Sequence, residues 1–110
     1  NPLCGRNFEY YSEDPVLSGK MASAMTIGVQ SVPGCGTTIK HYACNNQEDN
    51  RMGSDSILSE RTLREIYLKG FEIAIREAQP MAMMTSYNLI NGVHAANSYD
   101  ICTKASRDEW

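Results

Sequence analysis

Basic and polar side chains follow a predicted strand in segment 37–51. Lys40 and His41 come near the end of a run rich in β-branched and aromatic residues, and every residue from 45 to 51 is polar or charged. The first run predicts a short buried strand, and the second predicts that the chain then leaves the core. Because parallel α/β proteins bind ligands beyond the carboxyl ends of their strands, Lys40 and His41 are candidate ligand-binding residues.

A helix is predicted on each side of this strand. Asp14 and Pro15 are typical of a helix start, because aspartate caps the first turn and proline lacks an N–H that would be unpaired there. That helix is expected to end near Gln30, and Ser59 is a similar cap for the second helix. Apolar or small residues recur at helical spacing in the first helix (Leu17, Met21, Ala24, Met25, Gly28) and in the second (Leu63, Ile66, Tyr67, Gly70, Phe71, Ala74, Ile75, Ala78).

The chain beyond Pro80 predicts a second strand and a weaker helix. Residues 81–87 are typical of a buried strand, residues 88–97 of a loop with a turn at Asn91-Gly92, and residues 98–109 of a helix. Alternating helices and strands indicate an α/β fold with parallel strands and right-handed crossovers. Two strands leave both sheet edges open, so we expect the chain to be poorly stable alone.

The composition is that of a globular protein. The 110 residues carry a net charge of -3, and 42% of them are hydrophobic. No apolar run approaches the roughly 18 residues of a membrane-spanning helix, and Lys and Arg do not cluster, so neither a membrane nor a nucleic acid is expected as a partner. The chain opens at Asn1 without Met and closes on Trp110 without a helix stop signal, which predicts a fragment of a longer protein.

The four cysteines, Cys4, Cys35, Cys44 and Cys102, have no paired spacing. We expect reduced, buried thiols, although two disulfides remain possible. Cys35, His41 and Cys44 can be considered as zinc ligands, but a fourth ligand at a usual spacing is missing, so no metal site is predicted. This use of cysteine favours a cytoplasmic location.

Several motifs, in order and with matching gaps, resemble glycoside hydrolase family 3, the β-glucosidase family. They begin with Gly5-Arg6-Asn7-Phe8-Glu9-Tyr10-Tyr11-Ser12-Glu13-Asp14-Pro15 and Lys40-His41-Tyr42, the latter followed by Asn45, Asn46 and Asn50-Arg51. They continue with Ser59-Glu60-Arg61-Thr62-Leu63-Arg64-Glu65-Ile66-Tyr67, Met84-Thr85-Ser86-Tyr87-Asn88 and Asn91-Gly92. The resemblance covers nearly the whole chain.

This resemblance implies part of a (β/α)8 TIM-type barrel, with about two to three βα units in residues 1–110 of an N-terminal catalytic domain. It also implies a retaining, exo-acting β-glucosidase, whose two carboxyl groups stand roughly 5 Å apart. In the family the nucleophile is an Asp on a strand after the segment resembling 107–110, and the acid/base is a Glu of a second α/β domain. No catalytic residue, cofactor or metal is therefore expected in this chain, whose partners would be the rest of the barrel, the second domain and a β-linked glucoside or oligosaccharide.

Five residues match family positions around the sugar at the nonreducing end. Arg6, Lys40 and His41 resemble residues that hydrogen-bond its hydroxyl groups, and Met84 and Tyr87 resemble residues that line the pocket. Neighbours on a regular strand point to opposite faces, so Lys40 and His41 reach one sugar only if the strand end is distorted. Members of the family often have a cis peptide there.

Other interpretations remain open. The loop after the Lys-His-aromatic triplet has no second His, which argues against the N-acetylglucosaminidase branch and favours a β-glucosidase or β-xylosidase. The isolated chain can also be a non-catalytic, carbohydrate-binding piece. Glu48 and Asp49 are expected to be solvated or paired rather than catalytic, with Arg51 anchoring their loop through a carboxylate.

Overall fold

Helices and short strands alternate along the chain, which the computed structural model describes from Asn1 to Trp110. The helices are α1 (Pro15–Gln30), α2 (Glu60–Thr62), α3 (Lys69–Ala78) and α4 (Asp100–Glu109), and a π-helical turn (Leu63–Tyr67) leads from α2 towards α3. The strands are β1 (Thr38–Tyr42), β2 (Asp55–Ser56), β3 (Ala82–Thr85), β4 (Leu89–Ile90) and β5 (Val93–His94). Short 3-10 turns cover Asn7–Glu9 and Ala95–Asn97, and α4 has π-type hydrogen bonding.

The two principal strands, β1 and β3, pair in parallel. Thr38 lies beside Ala82 and Lys40 beside Met84, so the carboxyl ends of both strands meet at one edge. This pairing confirms the predicted α/β class with parallel strands. No other strand pairs with β1 or β3, so both outer edges of this sheet are open.

β3 is shorter than the predicted strand 81–87 because Ser86 turns towards the end of β1. Its backbone N–H donates to the carbonyl oxygen of Tyr42 at 2.8 Å, and its hydroxyl donates to the carbonyl oxygen of Ala43 at 2.7 Å. Ser86 is buried, so these bonds satisfy polar groups that have lost contact with water. They tie the ends of the two strands together.

Both predicted helix caps are confirmed. The Asp14 carboxylate accepts hydrogen bonds from the N–H groups of Val16 at 2.8 Å and Leu17 at 3.1 Å. The Ser59 hydroxyl accepts from the N–H of Thr62 at 3.2 Å. Each cap therefore satisfies N–H groups that the first helical turn leaves unpaired.

α1 packs against α3 through its smallest residues. Gly19 is buried, and a Cβ atom built there would lie 2.7 Å from the Cβ of Ile73. Ser23 and Thr26 are buried on the same helix. The apolar side chains that gave α1 its periodic pattern, among them Met21 and Met25, remain about half exposed. The helix was predicted correctly, but close approach to α3 requires a small-residue face that the hydrophobic pattern does not mark.

A second, small sheet includes two strands, β4 and β5, of the segment 88–97 that was predicted to be loop. β2 pairs in parallel with β4, and β4 pairs antiparallel with β5. Asn91 and Gly92 connect β4 to β5 with φ angles of 50° and 85°, as in the mirror-image turns that suit two-residue hairpins. The predicted turn is therefore present, but strands of two residues are too short to produce an alternating pattern.

The core lies beneath the carboxyl end of β1. Tyr42 is fully buried, its hydroxyl donates to the carbonyl oxygen of Ile101 at 2.9 Å, and its ring packs edge-on against Phe71 at 4.9 Å. Ala43 and Leu68 belong to the same cluster. Only 16 of the 110 residues are buried, so this cluster is the main apolar support of the strand end. None of the helices combines the length and hydropathy that crossing a membrane requires.

Two glycines of α1 provide a matched test of this packing. Gly19→Ala is expected to lower the free energy of unfolding by about 1–3 kcal/mol, because the new methyl group must displace Ile73. At Gly28 a Cβ would meet nothing within 4 Å, so Gly28→Ala should raise it by about 0.5–1 kcal/mol through helix propensity. Urea unfolding followed by circular dichroism measures both, and equal effects would contradict the packing of α1 on α3.

Candidate functional site

The backbone is irregular where β1 ends. The peptide bonds Lys40-His41 and Tyr42-Ala43 are cis, and the register with β3 shifts between Lys40 and Tyr42. The distortion predicted at this strand end is therefore confirmed. Lys40 and His41, although adjacent in sequence, both contact side chains of segment 6–10.

Glu9 lies between two cations at this strand end. Its Oε1 atom pairs with Nε of Arg6, and its Oε2 atom pairs with Nζ of Lys40. Hydrogen bonds from Lys40 and then Arg6 lower the pKa of Glu9 to about 2. Because the pKa of Glu9 is lowered, the stability that its two ion pairs give the folded chain is fully present above the ordinary pKa of 4.5. That stability is lost as the pH falls towards 2 and the carboxylate is protonated. At neutral pH the carboxylate therefore holds both cations close together.

His41 is the third side chain of this group. Its Nδ1 atom lies 2.7 Å from the hydroxyl oxygen of Tyr10, and the two rings meet edge-on at 86°. Burial, followed by the charges of Arg6 and Lys40, lowers the pKa of His41 below its usual 6.5. The imidazole is therefore neutral at neutral pH. The structure thus brings Arg6, Lys40 and His41 together around the residues Glu9 and Tyr10.

The polar loop after β1 is anchored by side-chain bonds. Asn45 donates to Oε1 of Glu48 at 2.9 Å, and Arg51 pairs with Oε2 of the same carboxylate at 3.1 Å. The Arg51 guanidinium also lies over the ring of Tyr87, 4.9 Å from its centroid. Arg51 therefore pairs with a carboxylate, as predicted, and also connects the loop to the segment after β3. Asp49, on the same loop, is exposed.

Met84 and Tyr87 lie at the same edge of the sheet. Met84 is the register partner of Lys40, and partners in a parallel pair project to the same face, so the two side chains share a face. Tyr87 lies two residues beyond β3, beneath Arg51. Both side chains are about half exposed, so they are available to a ligand at this edge.

Three residues of this site were not recognised from the residue pattern. Glu9 follows Arg6 at a spacing of three, which on a helical turn favours an ion pair and was a usable signal. Tyr10 meets His41 across 31 positions, which no local pattern reveals. Asn88 is buried and donates to the carbonyl oxygen of Ala43 at 3.1 Å, so it supports the end of β1 from below.

The cysteines are placed in different environments. Cys4 and Cys44 are buried and Cys102 is half-buried, but Cys35 is exposed, so the expectation of four buried thiols was wrong for Cys35. The reason lies in its position, because Cys35 belongs to the loop between α1 and β1, in which residues 31–36 are all exposed. No three His, Cys, Asp or Glu side chains are close enough together to hold a metal ion.

The chemistry of the site follows from its donors. Arg6 and Lys40 only donate hydrogen bonds, and neutral His41 has one N–H. Hydrogen bonds from charged donors to oxygen are shorter and stronger than those from neutral donors. Three donor side chains with two half-exposed apolar or aromatic neighbours, Met84 and Tyr87, suit a ligand with many hydroxyl oxygens and an apolar face.

Comparison with known proteins gives the family. The family model described as "Glycosyl hydrolase family 3 N terminal domain" matches residues 1–110. "Beta-glucosidase A" of Butyrivibrio fibrisolvens is 56% identical over 110 residues, which are 100% of this chain and 13% of that protein. The "Exo-alpha-(1->6)-L-arabinopyranosidase" of Bifidobacterium longum is 53% identical over 100% of this chain and 14% of that protein.

A solved structure matches equally well. The structure of β-glucosidase 3B from Thermotoga neapolitana in complex with glucose superposes with a TM-score of 0.96 at 58% identity, over 100% of this chain and 15% of that one. The chain thus spans a small part of the length of the relatives that it matches. It belongs to glycosyl hydrolase family 3, and its parallel strands are part of the TIM-barrel domain of that family.

Proposed function

We propose that residues 1–110 are a fragment of the N-terminal catalytic barrel domain of a retaining, exo-acting β-glucosidase. In this proposal the chain carries the sugar-binding side of the active site. The names of the relatives and the glucose complex of the Thermotoga neapolitana enzyme support it. The observation on which it mainly rests is the convergence of Arg6, Lys40 and His41 at the carboxyl end of β1.

Sugar recognition accounts for the types of residue at this edge. A pyranose ring presents several hydroxyl oxygens, which accept hydrogen bonds from Arg6, Lys40 and His41, and an apolar face, which packs against Met84 and Tyr87. Contacts that tighten as the ring distorts towards the transition state lower the barrier rather than merely improving binding. These residues therefore contribute to catalysis through the sugar, without transferring a proton or forming a bond.

The two carboxyl groups that react are proposed to lie outside this chain. Retention requires a carboxylate nucleophile and a second carboxyl group whose pKa is raised so that it can act as an acid. Glu9 is unsuitable because its two cationic partners lower its pKa to about 2. Glu48 is already engaged by Asn45 and Arg51.

The remainder of the same barrel and a second α/β domain are the proposed protein partners. Both outer edges of the β1–β3 sheet lack a strand, and the apolar stripe of α1 is about half exposed. Additional parallel strands on those edges and neighbouring helices on α1 would bury these groups, as in a complete barrel.

A different pyranoside is the second candidate substrate. It is favoured by the relative at 53% identity, which is named as an exo-α-(1→6)-L-arabinopyranosidase. β-Xylosides are a third choice within the same family. Rates of the full-length protein on aryl β-glucoside, aryl β-xyloside and aryl α-L-arabinopyranoside distinguish these candidates, and the proposal requires the β-glucoside to react fastest.

Replacing Lys40 tests the sugar contacts. In the full-length protein, Lys40→Met is expected to lower kcat/KM for an aryl β-glucoside roughly 10- to 100-fold, because a hydrogen bond from a charged donor is lost. Lys104→Met is the matched control, since Lys104 is exposed on α4. If both variants kept wild-type kcat/KM, Lys40 would not bind the sugar.

Removing the charge of Glu9 tests the arrangement of the cations. Glu9→Gln keeps the shape of the side chain but leaves Arg6 and Lys40 without a shared anion, so KM is expected to rise several-fold. Glu77→Gln is the control, because Glu77 pairs with Lys20 on the helical surface away from the site. An equal KM for the two variants would contradict the role given to Glu9.

The isolated chain is expected to be inactive. Because both reacting carboxyl groups are proposed to lie elsewhere, residues 1–110 should not release the chromophore from a chromogenic β-glucoside. Circular dichroism of the same sample verifies that the helices have formed, and the full-length protein is the positive control. Turnover by the isolated chain above that of an Arg6→Ala, Lys40→Ala double variant would place a catalytic carboxyl group within it.

A further inference from the structure

Tyr10 and His41 form a short hydrogen bond at the end of β1. The Oη–Nδ1 distance is 2.7 Å, and the rings meet edge-on, so the two atoms are directly bonded partners. A phenol oxygen is also a weak acceptor, because one lone pair is delocalised into the ring, whereas a bare imidazole nitrogen is a strong one. This difference in acceptor strength favours Tyr10 as the donor and Nδ1 of His41 as the acceptor.

The protonation states agree with this direction. Burial raises the pKa of Tyr10, so its hydroxyl keeps the proton. Burial and the neighbouring cations Arg6 and Lys40 lower the pKa of His41, while the carboxylates Glu9 and Glu48 oppose this shift without reversing it. At neutral pH both groups are uncharged, and a neutral imidazole has one N–H and one acceptor nitrogen.

We propose that Tyr10 is a positioning residue: its hydroxyl occupies Nδ1 of His41, which leaves the imidazole proton on Nε2 and fixes the orientation of the ring. Resting on the proposed function, this means that His41 meets the sugar as a hydrogen-bond donor. No bond is made or broken by Tyr10, and it does not touch the sugar. Its effect reaches the substrate only through the tautomer and the plane of His41.

One short segment therefore positions all three donors. Arg6 immediately precedes the 3-10 turn Asn7–Glu9, Glu9 ends it, and Tyr10 follows with its N–H donating to the carbonyl oxygen of Asn7 at 3.3 Å. The carboxylate of Glu9 holds the two cations, and the next residue holds the imidazole. With Nδ1 occupied, the site presents three donors in the same region, which selects for oxygens that accept hydrogen bonds.

Neutron diffraction from crystals of the full-length protein, exchanged into D₂O near neutral pD, tests the proposal directly. Deuterium is expected on Oη of Tyr10 and on Nε2 of His41, with Nδ1 bare. Deuterium on Nδ1 would overturn the proposal. This measurement needs neither a variant nor a substrate, so its result does not depend on whether the protein is a β-glucosidase.

Kinetics test the consequence for the substrate. Tyr10→Phe in the full-length protein is expected to raise KM for an aryl β-glucoside about two- to tenfold, the range for loss of one orienting hydrogen bond. Tyr11→Phe is the matched control, because Tyr11 is the next residue and is about half exposed. An unchanged KM in Tyr10→Phe, or an equal rise in both variants, would overturn the positioning role. An inactive wild-type protein would instead overturn the proposed function, while the proton positions would still be measured.

Discussion

The arrangement of the site depends on one carboxylate that separates two positive charges. Without Glu9, Arg6 and Lys40 would repel each other at a distance where partial burial reduces screening by water. Each cation instead binds a different oxygen of the same carboxylate. Glu9 also joins segment 6–10 to a strand that begins about 30 positions later in the sequence, so its two ion pairs, together with the Tyr10–His41 hydrogen bond, hold the donors and the N-terminal segment in place.

The strand end that carries this site is supported from below by buried groups. The carbonyl oxygen of Ala43 accepts hydrogen bonds from Ser86 at 2.7 Å and Asn88 at 3.1 Å, and Tyr42 bonds to the backbone of Ile101. Each of these donors is buried, so breaking a bond would leave a polar group without water. The irregular backbone after Lys40 is therefore held by defined partners, although the sheet around it is open.

Local signals in the sequence predicted the helices and the main strands. Features that depend on contacts between distant residues could not be predicted in the same way. Asp14 and Ser59 act on N–H groups within three positions, so the caps and the helices that they start were predictable. Gly19 packs against Ile73 of another helix, and Tyr10 bonds to His41 across 31 positions. Neither contact follows from a local sequence pattern, because the partners are far apart in the chain. Arg6, Met84 and Tyr87 were selected by family resemblance, because an exposed cation or aromatic residue alone carries no such information.

The candidate site is arranged by contacts within this chain, whereas the helix face and sheet edges around the core lack partners in it. The donors are arranged by contacts among segment 6–10, the end of β1 and the loop up to Arg51, all of which lie within this chain. The apolar stripe of α1 and the edges of β1 and β3, by contrast, lack partners here. We therefore expect changes on the exposed face of α1 to leave the arrangement of Arg6, Lys40 and His41 intact, because polar bonds at the strand end, rather than helix packing, set that arrangement.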